Sequence, residues 1–235
     1  MTERGARHVV PAGPSLAIGP SSLVWHDDTL TVTIDELTAP WPSRIRGTVR
    51  LQAPARPDRV VALDADGRHR WRPLAPCARV EVDLSHPGLA WSGPGYLDAN
   101  DGDAPLDEAF ARWHWSRAVV HDGTAILYDV ERRGGARLAF GLHCAPSGLL
   151  RDIPLPPEFA LPRSAWRVPR VTRADPGDTP RIVRTLEDAP FYARSLVASA
   201  VLGERVVAVH ESLSLDRFRA RWVQLLLPFR MPRRR

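Results

Sequence analysis

Strict alternation of apolar and polar residues, the period of a strand with one buried face, recurs along this chain, and helical periodicity is scarce. Residues 29–37 put Leu30, Val32 and Ile34 on one face and Thr31, Thr33 and Asp35 on the other, after a turn at Asp27-Asp28. Residues 45–51 repeat the alternation. Residues 59–63 and 68–72 flank Asp66-Gly67, a type I′ hairpin signal, and residues 78–84 read as the next strand. Asp122-Gly123 and Gly134-Gly135 separate three further strands, 115–120, 125–130 and 137–143, a meander of the kind that closes into a barrel. Another hairpin turns near Leu202-Gly203-Glu204. The expected fold class is all-β.

Residues 146–180 interrupt the pattern with eight prolines, which predicts extended connection with one short strand at 166–168. The helical candidate is 106–112, with Pro105 at a first-turn position and Asp103 as N-cap. The chain's 235 residues, 44% hydrophobic and 25% charged, are ordinary for a globular protein and exclude disorder and fibre. Its 23 prolines and 16 glycines suit many short strands joined by turns.

The formal charge is +5, and all 32 basic residues are arginine. That is a compositional bias rather than a clustered basic face, so nucleic acid is not an expected partner. The real cluster is the tail from Arg230 to Arg235. Two cysteines, Cys77 and Cys144, in no Cys-x-x-Cys spacing give no disulfide framework, which fits a reducing, cytoplasmic setting. The first residues lack the uninterrupted apolar run of a signal peptide, and no stretch approaches the roughly 18 apolar residues of a bilayer span.

Two short patterns carry the candidate chemistry. In Arg68-His69-Arg70-Trp71-Arg72, a strand places His69 and Trp71 on one face and the arginines on the other. In the run from Gly93 to Asp103, Tyr96 and Asp98 point the same way, so an acid stands beside a phenol. The plain alternatives are a core tryptophan with a hydrogen-bonded core histidine, and a turn aspartate bonding its own backbone. The acidic run Asp98, Asn100, Asp101, Asp103, Asp107 and Glu108 does not fit a calcium loop, because Gly102 and Asp103 stand in the reverse of the order an EF-hand needs. No Walker loop, nucleophile elbow, dinucleotide fingerprint or zinc spacing is present, so neither a cofactor nor a metal is expected. Trp113 and Trp115 fit either a ligand pocket or a barrel core.

Several words resemble one family. They are Gly93-Pro94-Gly95-Tyr96-Leu97-Asp98-Ala99-Asn100, Gly102-Asp103-Ala104-Pro105-Leu106, Trp113-His114-Trp115-Ser116-Arg117, Leu16-Ala17-Ile18-Gly19-Pro20-Ser21-Ser22-Leu23 and the stretch from Arg68 to Val80. Together they are similar to the carotenoid 1,2-hydratases, or hydroxyneurosporene synthases, of phototrophic bacteria. The resemblance implies tandem lipocalin-like β-barrels, divided here as 1–110 and 111–235. It also implies cofactor-free hydration of the terminal 1,2 double bond of acyclic carotenoids such as neurosporene and lycopene. It makes Asp98 the catalytic acid, with His69, Trp71 and Tyr96 as its companions. Relative to the family the chain looks short at its start, so the first barrel is expected to be incomplete and its activity is an open question.

Hydration needs a proton on the less substituted alkene carbon and water on the tertiary cation that results. As acid, Asp98 has to sit in an apolar pocket that keeps it protonated. Trp71 and Tyr96 offer π faces to the cation, and Trp113 and Trp115 are further substrate-binding candidates. His69 either holds the aspartic proton in position or accepts the proton lost by water. So apolar a substrate implies peripheral contact with the inner or intracytoplasmic membrane, to which the basic tail offers an anionic-lipid contact. The rival reading is a non-catalytic isoprenoid-binding protein of the same fold.

Overall fold

The computed structural model describes residues 3–39, 41–230 and 233–234, and it is mostly antiparallel β-sheet, as the alternation requires. Within the basic tail, Met231, Pro232 and Arg235 lie outside the described residues. The chain divides into two compact units, Met1–Arg56, Ala75–Leu97 and Gln224–Arg235 on one hand, and Pro57–Leu74 and Asp98–Val223 on the other. Two long strands, His69–His86 and Leu89–Gly102, contribute residues to both.

In the first unit, Val9–Ala12, Ser15–Ile18, Ser21–His26, Thr29–Leu37 and Arg44–Gln52 pair as a meander, and Arg44–Gln52 continues the ladder onto the distal part of His69–His86. Thr29–Leu37 has the bounds expected from its alternation. Leu30, Leu51, Ala53, Ala75 and Ala78 form its buried core, with Leu23, Trp25 and Val32 packed against them. Gly47 stands at the one-residue slip in the ladder with φ +151°, where a Cβ would lie 2.2 Å from the Asp83 carbonyl oxygen. Only glycine fits there.

The second unit holds a seven-stranded sheet in the order Leu150–Ile153, Arg137–Cys144, Gly123–Arg132, Phe110–Val120, Glu204–Ser214, Tyr192–Val201, Arg181–Asp188. Its hairpins fall at the expected turns, and Leu202 (φ +56°) and Gly203 (φ +80°) make a two-residue loop with both central residues left-handed. Three expectations need correction. The 106–112 helix is one turn, Leu106–Ala109, preceded by Pro105 rather than capped by Asp103, because the alternating run from Phe110 is drawn into the sheet. Residues 166–168 are not a strand; the proline-rich stretch instead supplies Leu150–Ile153, Glu158–Leu161 and Arg170–Arg173. At Asp66-Gly67 only Gly67 has positive φ, so the turn is not type I′.

Residues directly opposite on neighbouring strands share a face. One face of the sheet carries small and polar groups. His114 Nδ1 and His210 Nε2 meet the Ser212 hydroxyl at 3.0 and 3.1 Å, with the two imidazoles stacked at 6.1 Å. Arg170 donates to the Ser195 and Thr185 hydroxyls at 3.0 and 3.1 Å, which anchors the proline-rich segment. Arg173 reinforces that anchor by clasping the Asp129 carboxylate through two hydrogen bonds of 2.8 and 2.7 Å.

Burial pushes His114 down to about 4, with Arg112 and Arg137 adding to the effect and Asp129 and Glu131 opposing it. His210 falls to about 3, through burial first and then the His114 and Arg170 charges. Both are therefore neutral in the fold and gain protons on unfolding below about pH 6.5, so they contribute nothing above that pH and destabilise increasingly as pH falls toward 4. Chemical denaturation between pH 6.5 and 5 is expected to show stability falling by up to about 1.4 kcal/mol per pH unit for each histidine. The slope should shrink in His210→Gln; a flat profile in the parent protein would contradict this assignment.

Candidate functional site

The proximal part of His69–His86 alternates as expected. His69 and Trp71 are buried, at 1% and 0% exposed, while Arg70 and Arg72 turn outward to Asp101 at 2.7 and 3.0 Å. Arg70 also reaches Asp103 at 3.1 Å, so these two members of the acidic run are committed to arginines rather than to a cation. No cluster able to hold a metal occurs among the described residues.

The Trp71 indole Nε1 donates to Asp98 Oδ2 at 2.8 Å. This bond joins the two sequence patterns directly. The Trp71 ring packs edge-on against Tyr128 at 5.5 Å and tilted against Phe140 at 5.6 Å, and Tyr128 stacks on Phe140 at 5.2 Å. Asp98, half-buried, thus receives its hydrogen bond from the centre of an aromatic group. The Tyr128 phenol is pushed upward by burial first and then by the negative charges of Asp98 and Glu211, so it remains protonated; its oxygen lies 3.5 Å from Asn100 Oδ1.

His69 is held on both sides. Its Nδ1 meets Asp64 Oδ2 at 3.1 Å, its Nε2 meets the Ala104 carbonyl at 3.0 Å, and its backbone N–H donates to Asp64 Oδ1 at 3.1 Å. Both ring nitrogens thus face an oxygen, which fixes the orientation of the ring. The Asp64 carboxyl is opposed by burial, yet hydrogen bonds from the His69 ring and backbone hold it below the usual carboxylate range. A side chain at Gly102 would begin 2.7 Å from the His69 ring. The imidazole therefore ties the turn before Trp71 to the segment that follows Asp98. A cleft of about 300 Å³ opens beside it, lined by Leu63, His69, Asn100, Gly102 and Leu106.

The structure brings Asp98 and Trp71 together and adds Trp115, which is directly opposite Tyr128 in the sheet. Trp113 is half-buried and meets Phe110 at 6.3 Å, and Phe110 in turn packs on His69 at 4.9 Å. Tyr96 is half-buried on the strand that carries Asp98, two residues earlier, and belongs to the first unit. Asp64, Tyr128, Phe140 and Glu211 were not singled out from the sequence. Asp64 and His69 flank the Asp66-Gly67 turn, and that placement was a usable signal; the others depend on cross-strand register.

A family profile for carotenoid hydratase CrtC matches residues 1–235. The chain belongs to the carotenoid hydratase family. It is 50% identical over 234 residues to the acyclic carotenoid 1,2-hydratase of Thiocapsa roseopersicina, covering 99% of this chain and 58% of that protein. The Rubrivivax gelatinosus enzyme of the same name is 44% identical, with 58% of its length covered, and that of Cereibacter sphaeroides is 45% identical, with 84% covered. The chain thus spans under two thirds of the first two relatives. The family fold is shared with more distant solved structures. A putative AttH from Nitrosomonas europaea matches with TM-score 0.57 at 14% identity, over 89% of this chain and 72% of that one. CghA, solved with Sch210972, matches with TM-score 0.53 at 11% identity, over 88% and 73%.

The His69 clasp generates a prediction. Asp64→Ala strands a buried imidazole and a backbone N–H, and is expected to cost about 2–4 kcal/mol in denaturant unfolding at neutral pH. Asp64→Asn, which can still accept from the backbone, should cost about half as much. Parent-like stability in Asp64→Ala would show that His69 is not anchored in this way.

Proposed function

We propose that this chain is a cofactor-independent acyclic carotenoid 1,2-hydratase, a hydro-lyase adding water across the terminal 1,2 double bond of neurosporene, lycopene or their derivatives. The family supports the reaction class. The single observation that carries the residue assignment is the Trp71 Nε1 to Asp98 Oδ2 hydrogen bond, which orients a carboxyl group at the edge of the Trp71, Tyr128 and Phe140 rings.

In this reading Asp98 is the acid. It gives its proton to the less substituted alkene carbon. The positive charge that develops at the tertiary carbon meets aromatic π faces, each worth about 2 kcal/mol where water is excluded. Water then captures the cation. His69, with both nitrogens engaged, acts as a positioning residue for the strand ends that carry Trp71 and Asp98. Trp113 and Trp115 are the further substrate-binding candidates on the sheet of the second unit.

The substrate dissolves in a bilayer, so the proposed setting is cytoplasmic and peripheral to the inner or intracytoplasmic membrane. No helix among the described residues is long and apolar enough to cross a membrane. The helix Arg221–Arg230 exposes Trp222, Leu225 and Leu226, an apolar surface suited to the lipid interface, and the arginines that follow in the sequence suit its anionic headgroups.

The test is pigment analysis by chromatography and mass spectrometry in a bacterial host that makes lycopene or neurosporene. The parent chain is expected to yield a product one water heavier, and Asp98→Asn at least about 100-fold less of it. Accumulated folded protein with no hydrated product would instead favour the isoprenoid-binding reading.

A further inference from the structure

Ladder registers place five side chains in one row across five neighbouring strands. Phe140 is opposite Tyr128, Tyr128 opposite Trp115, Trp115 opposite Glu211, and Glu211 opposite Arg194. Opposed residues share a face, so all five project from the side of the sheet on which Trp71 packs and to which its bond to Asp98 belongs. The flanking row on that face is Leu138, Val130, Trp113, Leu213 and Tyr192. Glu211 is the carboxylate of these two rows.

It is a costly residue there. Its side chain is 22% exposed and is steadied by Arg194, whose Nε donates to Oε1 at 2.8 Å. The pair is electrically neutral, so an adjacent carbocation is not repelled by the guanidinium alone. Tyr128 and Glu211 stand two strand spacings apart, roughly 10 Å between backbones. Asp98 approaches the Tyr128 end of the row through Trp71, and Glu211 stands at the far side of Trp115.

We propose that Glu211 is the base of the hydration, accepting the proton released when water adds to the cation that Asp98 creates. This rests on the hydratase reading above. Asp98 gives its proton to the less substituted alkene carbon, and the π pair becomes the new C–H bond. A lone pair of water forms the C–O bond at the tertiary carbon. The oxonium O–H bond then breaks, its electron pair stays on oxygen, and the proton passes to the Glu211 carboxylate. An oxonium is far more acidic than a carboxylic acid, so an ordinary carboxylate suffices. Exchange through solvent returns the proton from Glu211 to Asp98, and the net change is addition of one water.

The test uses the purified full chain with detergent-dispersed lycopene in D₂O, comparing the parent, Glu211→Gln and Asp98→Asn. Alcohol and deuterium in the recovered alkene are both measured. Glutamine keeps the acceptor for Arg194. Without the base, protonation still occurs but the cation reverts, so Glu211→Gln should lower alcohol formation at least about 100-fold while deuterium continues to enter the recovered alkene. Asp98→Asn should lose both. Alcohol within about twofold of the parent in Glu211→Gln, or alcohol and deuterium falling together, overturns the role of Glu211 while leaving the hydratase reading intact. A parent chain that forms no alcohol overturns that reading and the proposal with it.

Discussion

A buried indole N–H needs an acceptor, and in this fold the acceptor of Trp71 is Asp98. That requirement ties two strand segments far apart in sequence, and much of the second unit serves to hold them in register. The His69 ring bridges Asp64 and the Ala104 carbonyl, joining the turn before one strand to the segment after the other. Gly102 leaves space for that ring, and Arg132 donates to the Leu63 carbonyl at 2.9 Å, joining the preceding turn to the large sheet. The carboxyl group so placed has one oxygen bonded to an indole that is itself packed against two further aromatic rings.

The two faces of the seven-stranded sheet divide the work. One is lined by Phe140, Tyr128 and Trp115, with Glu211 set beside Trp115. The other carries Ser195, Ser212, His114 and His210 and is closed by the proline-rich segment through Arg170 and Arg173. Because side chains alternate along each strand, Trp115 and Glu211 reach the aromatic face while their neighbours His114 and His210 reach the polar one. A one-residue slip in the Glu204–Ser214 strand would exchange an acid for a histidine on the aromatic side.

What could be read from the sequence follows from the range of the interactions concerned. Alternation is local, so Thr29–Leu37, the strands of the meander and the facing pair His69 and Trp71 were legible. The association of the first pattern with Asp98 was legible from family words rather than from periodicity. Tyr128 and Glu211 were not, since a tyrosine and a glutamate in alternating strands gain meaning only when cross-strand register sets them beside Trp115. The 166–168 segment and the 106–112 helix failed for a related reason: local propensity yielded to the sheet and to the segment that covers it.

Trp71 and Asp98 act as a bonded pair, and a double-mutant cycle on folding stability tests this most directly. Trp71→Phe, Asp98→Asn and the double variant would be unfolded in denaturant at neutral pH. A coupling energy of about 1–3 kcal/mol is expected for a buried hydrogen bond between the two side chains. Additivity within about 0.3 kcal/mol would mean that they do not interact, and the site built around them would have to be abandoned.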